Sequence, residues 1–540
     1  METDLGIPAE EFYENEVSLR SGPVTVARRL ADLTVPSLFP PEEWNSGDDI
    51  TILNQSINAR CVNTLSTKLT QVALPPNLPF VKFTPVGESM EEDIKADPGL
   101  WSEVQYALSR REQTHRERLE TTTARSAYGR SIRLQLVTGN SLTIWTELDK
   151  PVVYNMHSYV VKRSEGGTPL VTVAKTSIAA AEADEDILEA VEKQRKKEGK
   201  KSDAKNDWED EIGIYHVQKL ITSKSGKKQW LYWQEAEGGY VIPDTEAYAD
   251  YDVPHMYPAG LIHEPGSDWY LPYSLDYEGD IQAVETFAAS LQDGAAAMAW
   301  FLFFVDPLGE TRLKDVQEAD SLDVLKGRAA DVTVLQANKG GDYQGISNEF
   351  QEASRRLGYA FAMHTSVQRS GERVTAEEWK IMARELNETM GGLYSDLATG
   401  YQRWFVLRFI HLHQLEDKSL KALPEGSVKV GIMNGVESIG QDTDLTNLLG
   451  WASEAANILG PEQFAGEIDR QGFLKRHASL RAIKLEGLLK SPDQKAAEDK
   501  QNMERQQQQT LLEQGTGPVV KEGAAAMAEM LKQQQGDSNG

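Results

Sequence analysis

One stripe constrains this chain more than any other feature: Trp379, Met382, Leu386, Met390, Leu393, Leu397, Trp404 and Leu407 recur at helical period. That spacing places them on one face of an α-helix, which must then be buried. Thr375 and Glu378 form an S/T-x-x-E capping box at its start. From there the helix is predicted to run for nearly forty residues, roughly 58 Å at 1.5 Å per residue. Gly391, Gly392 and Gly400 interrupt it, and glycine inside a helix predicts local weakening and a bend.

At 540 residues the chain exceeds one ordinary core, and two to four folding units are expected. Hydrophobic residues at 40% and charged residues at 26% supply cores and exclude a disordered composition. The net charge of −27 argues against a surface that grips nucleic acid, because such grip comes from Lys and Arg on phosphates. It also suits a wall that repels a passing polyanion. A single cysteine, Cys61, excludes an internal disulfide and a thiolate zinc cluster. Cys61 reads as a small buried residue in a cytosolic chain. The start, METDLGIPAEEFYENE, lacks the basic and apolar parts of a signal peptide. The longest apolar run, Ala295 to Val305, is too short to span a bilayer, so no membrane segment is expected.

A helix is predicted from about Tyr13 to Leu33, ended by VPSLFPP (Val35 to Pro41), where stacked prolines remove donors. A second should cover Ile52 to about Val72, and Arg110 to Leu136 reads as continuous helix. Short β runs follow: LTIW, YVVKR, PLVTVA, IGIYHV and QWLYW. The pair Ile212 to Ile221 and Gln229 to Gln234 reads as a hairpin. The charged interruption Glu185 to Glu211 reads as an exposed helix and loop, with KKEGKK as solvated surface. From Leu275 a helix carries Ile281, Val284, Phe287, Leu291, Ala295 and Met298 on one face, until WFLFFVDPLG predicts a strand and a reversal. Arg312 to Gln336 reads as short α/β segments. Another helix is expected over Ile346 to about Thr365, and smaller ones over Leu445 to Leu459 and Phe464 to Leu489. The tail from Ser491 is polar on all sides, hence disordered or helical only within an oligomer. The fold class is α+β, mainly α.

Catalytic chemistry has no constellation here. No G-x-x-x-x-G-K-[ST] is present, and the G-x-S-x-G at Gly536 to Gly540 has no strand before it or helix after it. His411 and His413 point to different helix faces, unlike a zinc pair. Glu91 to Gly99 lacks the alternating oxygens of a calcium loop. No catalytic, cofactor or metal residue is assigned, and no cofactor is expected.

Four runs in order, VPSLFPP, SYVVKR (Ser158 to Arg163), VQRSGERVTAEE (Val367 to Glu378) and GVESIGQDTDL (Gly435 to Leu445), resemble the portal, or head-to-tail connector, family of short-tailed, autographivirus-like phages. The resemblance covers about residues 20 to 490 and is weakest over 185 to 211. It implies a ring of about twelve identical subunits around an axial channel for double-stranded DNA. The regions it implies are an N-terminal wing (1–272), a first stem helix (273–300), a clip (301–342) and a second stem helix (343–366). A tunnel loop (367–374), a long wing helix (375–424), a crown (425–490) and a polar tail (491–540) follow. Implied partners are the terminase large subunit, which would hold the ATPase, a tail adaptor, major capsid and scaffolding proteins, and internal core proteins. The implied location is the portal vertex of the virion, with host cytoplasm during assembly.

Within the loop, Arg369 and Arg373 flank Ser370, Gly371 and Glu372. Repeated around a ring, the two arginines would form a collar of guanidinium groups that pair with phosphates at any rotation of the duplex. Gly371 lets the tip turn. Thr375 and Glu378 would cap the helix behind it. On a lone chain the same arginines would simply pair with neighbouring carboxylates. The competing readings are a capsid or scaffold-type assembly protein without a DNA channel, and an enzyme with an unrecognised site.

Overall fold

The computed structural model describes residues 5–45, 47–76, 79–85, 98–197, 208, 210–320, 323–336, 340–363, 376–418, 420, 428–432, 448–468, 470, 472–474 and 477. The chain divides into two units, 1–454 and 455–540. Helices and sheets are mixed, as the α+β expectation requires.

The first helix, α1 (Ala9–Leu33), carries Pro23 yet continues through it. Arg20, on its buried face, donates to the carbonyls of Met156 (2.7 Å), His157 (2.9 Å) and Tyr159 (3.2 Å) and pairs with Glu42 at 3.1 Å. The VPSLFPP run forms a 3₁₀ turn, Pro36–Leu38, after which Phe39 stacks flat on His157 at 4.2 Å. Next, α2 (Ile57–Ala73) starts later than its apolar pattern suggests. The Gln55 side chain accepts from the Ile57 and Asn58 amides, and Asn54 and Gln55 are tied instead to Glu285. Strand β1 (Val81–Pro85) precedes α3 (Pro98–Glu120) and α4 (Ala124–Thr138). The single helix expected over 110–136 is therefore two. Between them Thr121, Thr122 and Thr123 turn their hydroxyls onto the carbonyls of Arg118, Leu119 and Asp149, a local competition that ends a helix.

The β region matches its sequence pattern closely. Strands β2 (Asn140–Ile144) and β3 (Val152–Tyr154) belong to a three-stranded sheet. Strands β4 (Tyr159–Arg163), β5 (Pro169–Ala179), β6 (Glu211–Thr222), β7 (Lys228–Ala236) and β8 (Tyr240–Val241) make an antiparallel sheet in that order. β9 (Ala247–Asp250) pairs with β7, and β10 (Met256–Gly260) joins β2. The expected hairpin is β6–β7, with Ile221 opposite Gln229. Between β5 and β6 sits α5 (Glu185–Lys197), which is not an exposed helix: Ile187 and Val191 are buried against Ile212, Ile214 and Ala236. Arg195 pairs with Glu237 and, at 2.7 Å, with Asp210, while Lys196 and Lys197 remain at the surface.

After a 3₁₀ turn at Tyr273–Tyr277, α6 (Glu278–Ala299) leads into β11 (Phe301–Val305), a short α7 (Leu313–Gln317) and β12 (Val332–Gln336). The return helix α8 (Gly340–Ala360) begins and ends several residues before the predicted one. The long helix is built in pieces: α9 (Ala376–Met390), α10 (Gly392–Leu397), a π-helical turn at Ala398–Gln402, and α11 (Arg403–Glu416). Gly391 takes φ +53°, a conformation that L side chains rarely adopt, so the break falls where glycine permits it. Gly400 lies inside the π turn. The stripe is nonetheless buried at Met382, Leu386, Met390, Leu397 and Trp404. β13 (Val428–Ile432) returns to pair with β1. In the second unit, Pro461 opens α12 (Pro461–Glu467) at the first helical position.

The main core is an aromatic column around α11. Trp145 lies 4.5 Å from Phe405, and Tyr128 lies 5.1 Å from both Tyr401 and Phe405. Beneath it a buried ammonium joins three helices. Lys68 of α2 donates to the Ala362 carbonyl (2.6 Å), just past α8, and to Glu385 of α9 (2.7 Å). Ala362 has φ +53°, and Phe361 before it is enclosed by Tyr273 and Tyr277. Cys61, as expected, is buried, with its thiol 3.2 Å from Met363 Sδ and pushed up to about 12 by burial.

Burial drives His115 down to about 3, aided by His413 and Arg111. It drives His255 to about 3, aided by Arg408 and His411, and His216 to about 4. Each takes up a proton in the unfolded chain near pH 6.5 that the fold refuses, so its stability is full above that pH and is lost as pH falls. Glu112 opposes them. Burial raises it to about 7, so its contribution is present below its unfolded pKa and is lost as pH rises through 7. Three groups against one give a net loss of about 3 kcal/mol per pH unit between the two unfolded pKa values. Urea unfolding at pH 5 and pH 6.5 checks this, and an equal or higher midpoint at pH 5 contradicts it. Lys68→Met removes the ammonium from the part-buried Glu385 carboxylate and the Ala362 carbonyl and is expected to cost about 3 kcal/mol, part of it recovered by adding Glu385→Leu. Strictly additive losses in that thermal-unfolding cycle would show no coupling between the two.

Candidate assembly site: a bare hairpin on a helix pair

α6 and α8 run alongside each other, and the end nearer the main core is fastened. Arg29 of α1 holds Glu278 through two bonds of 2.5 and 2.9 Å, Arg356 of α8 holds Asp280 at 2.7 Å, and Tyr273 donates to the Ala360 carbonyl at 2.8 Å. Ile281, Val284, Ala353 and Leu357 fill the space between these fixings. Beyond them burial stops. No residue from 289 to 299 or from 340 to 350 is buried, although Leu291 and Met298 continue the apolar face. Charge is one-sided as well: no Lys or Arg occurs from Glu278 to Thr311 or from Gly340 to Ser354, whereas Glu278, Asp280, Glu285, Asp293, Asp342, Glu349 and Glu352 do. A shaft of that composition has nothing with which to grip phosphate.

At its tip β11 and β12 pair antiparallel, Leu302 opposite Leu335 and Phe303 opposite Val334. Side chains alternate between the faces of a strand. Leu302, Phe304 and Leu335 therefore occupy one face, and Phe303, Val305, Val332 and Val334 the other. Both faces are apolar, the pattern of a strand covered on both sides. Yet Leu302 is 57%, Phe303 52%, Phe304 56% and Leu335 57% exposed, with Trp300 beside them at 75%. Two strands alone are marginal in water, and among the described residues neither strand pairs with a third. The hairpin is therefore chemically incomplete within one copy of the chain.

The two ends of its connection are nevertheless tied together. The Asp306 side chain accepts from the Leu308 amide at 2.9 Å and its carbonyl from Gly309 at 3.0 Å, the reversal that DPLG predicts. The Asp331 carboxylate accepts from the Glu310 and Thr311 amides and the Thr311 hydroxyl, at 2.8, 3.1 and 3.2 Å. Partial dehydration pushes this carboxyl up, and the hydrogen bonds outweigh it to hold the group below the usual carboxylate range. Leu308 and Val324 stay 95% and 97% exposed on this connection.

Arg369, Ser370, Gly371, Glu372, Arg373 and Thr375 lie outside the described residues, as does GVESIGQDTDL. Glu378 falls in the first turn of α9. What the structure adds is the pair of anchors on either side of this segment: Ala362 and Glu385 share one ammonium, that of Lys68. Nothing in the sequence around Lys68 marks this role, because its partners are about three hundred residues away. His413 faces His115 at 2.9 Å between their Nδ1 atoms in a buried pocket, as befits a structural histidine. Among the described residues no cluster suited to a metal ion occurs, and no helix is long and apolar enough to cross a membrane.

Known proteins resemble this chain in sequence over most of its length. The model of the bacteriophage head to tail connecting protein family matches residues 11–484. The portal protein of Enterobacteria phage T3 is 30% identical over 495 residues, 91% of this chain and 89% of its own length. That of Escherichia phage T7 is 29% identical over 531 residues, covering 96% and 94%. That of Pseudomonas phage phiKMV is 25% identical over 538 residues, covering 98% and 99%. With a match that spans most of its length and that includes the helix pair and its hairpin, the chain belongs to the bacteriophage head-to-tail connecting protein family.

Proposed function

We propose that the chain is the subunit of a portal, a ring at one capsid vertex through which double-stranded DNA is packaged and ejected. The observation that carries this reading is the hairpin, apolar on both faces and uncovered, at the tip of a helix pair whose outer part, through 311 and from 340 to 354, bears no Lys or Arg. Closed symmetry supplies identical neighbours on both sides, so each copy covers one face of the next and none is left bare. The helix pair then forms the stem, with 273–300 and 343–366 as its helices and 301–342 as the clip. Residues 1–272 form the wing, 375–424 its long helix, 425–490 the crown and 491–540 the tail. A ring of about twelve copies suits the family, and its stem presents acids to a passing duplex, favouring sliding over adhesion.

The loop 367–374 supplies the exception, a collar in which Arg369 and Arg373 pair with phosphates, with Ser370, Gly371 and Glu372 at the tip and Thr375 and Glu378 as the cap behind. The ring acts without catalytic turnover. It nucleates the procapsid with capsid and scaffolding proteins, docks the terminase large subunit, whose ATPase drives packaging, and later seats the tail adaptor, with internal core proteins as further partners.

Electron microscopy and sedimentation test the ring. A closed ring with an axial hole near duplex width is expected, and filaments, shells or a stable monomer contradict it. Phe303→Asp with Leu335→Asp should abolish ring closure and change the unfolding free energy of the single chain by no more than about 0.5 kcal/mol, because both side chains are already more than half exposed. For the collar, Arg369→Ala with Arg373→Ala should yield rings that assemble but leak packaged DNA. Normal DNA retention by that variant would remove the loop from the mechanism.

A further inference from the structure

Away from the helix pair, the β4–β5 turn, the β9–β10 connection and the π-helical turn enclose a cleft of about 310 Å³. Its walls are aromatic. Trp404 stacks on Tyr257 with centroids 4.9 Å apart, and Trp230 on Tyr251 at 6.1 Å. Gly400 of the π turn contributes a stretch of wall without a side chain, and such widened turns recur where a helix serves a site.

Two cations line this space. Arg163 is buried, lies over the Tyr270 ring at 4.6 Å, and donates to the carbonyls of Asp268, Gly167 and Pro258. Its guanidinium has five N–H groups, more than these three acceptors use. Among the described residues Arg403 reaches only Asp252, at 3.5 Å, in a pair whose members are 45% and 62% exposed, a geometry that contributes little. The lining therefore carries two positive charges and one negative, in a chain whose net charge is −27.

Stacked aromatic faces beside a weakly engaged arginine select a flat or ring-shaped apolar group with an anion next to it. The volume is at the lower end for ligand pockets and admits one such group rather than a run of bases. A nucleic-acid strand would also bring further phosphates against Asp252, Asp250 and Glu165, whereas a peptide needs to bring only one carboxylate. We propose that this cleft docks an acidic peptide segment of a partner protein, seating one aromatic or proline side chain against Tyr251 and Tyr257 and pairing an adjacent carboxylate with Arg403. The site does not depend on the hairpin or on the loop collar.

The test uses the full chain, as isolated subunit and as assembled ring. It is titrated with an array of fluorescein-labelled acidic peptides, each with a single Trp, Tyr, Phe or Pro, with lysine-for-acid versions of the same peptides, and with oligo(dT). Saturable binding of acidic members is expected, with the lysine versions inert. Arg403→Glu and Tyr251→Ala should each weaken it about tenfold or more, and both positions are exposed enough for the fold to tolerate the change. Absence of saturable binding across the array, binding indifferent to both substitutions, or tighter binding of oligo(dT) would each overturn the proposal. So would binding that the subunit shows and the ring loses, since a neighbouring copy would then be the occupant.

Discussion

A single buried ammonium does much to hold the body of this protein in register. Lys68 rises from α2 between the end of α8 and the flank of α9 and bonds to both. Two groups that water would otherwise solvate, a carbonyl and a carboxylate, are satisfied by one cation, and desolvation makes that cation costly to leave unpaired. The helix pair can project into solvent because its near end is fixed here, by the Phe361 aromatic enclosure and by the Arg29 and Arg356 ion pairs. Fixed at one end and bare at the other, the pair presents its hairpin at a definite distance from the main core.

That arrangement separates the chain into a part that folds on its own terms and a part that does not. Around α11 the aromatic column, the buried Arg408 bonded to the Trp145 carbonyl at 2.8 Å and the β sheets bury their apolar side chains within the one chain. At the hairpin the same alternation of side chains that builds a sheet leaves two apolar faces facing water. The proposed ring would give this contrast a reason, since a neighbouring copy would provide what the isolated copy lacks.

Much of the architecture was legible from local pattern. Every β run between Ser141 and Val241 became a strand, WFLFFV became β11, and glycines at 391 and 400 marked where the long helix changes. What escaped was decided by side chains reaching far along the chain or turning back on it. Gln55 and Glu285 hold 54–56 out of α2, three threonine hydroxyls divide α3 from α4, and the pairing of β1 with β13 joins residues almost 350 positions apart. Ile187 and Val191, sparse within a charged run, were enough to dock α5 against the sheet. The resemblance to the connector family rested on four short runs. Two of these, VPSLFPP and SYVVKR, prove to be packing motifs around His157 and Arg163, so a family signature there reports on how the chain folds. The assembly surface was visible only as an unusually apolar strand, because exposure is a property of the folded chain.

The uncovered hairpin also sets a clock on biosynthesis. Under the proposed ring, each new chain carries an adhesive apolar strand pair from the moment α6 and α8 close until identical neighbours arrive. Its fate in that interval is a race between correct closure and indiscriminate sticking, and the former is favoured when copies are made close together and recruited promptly. The acids along the shaft lengthen the odds against the wrong outcome by keeping stray chains apart, while the narrow tip remains free to find its match.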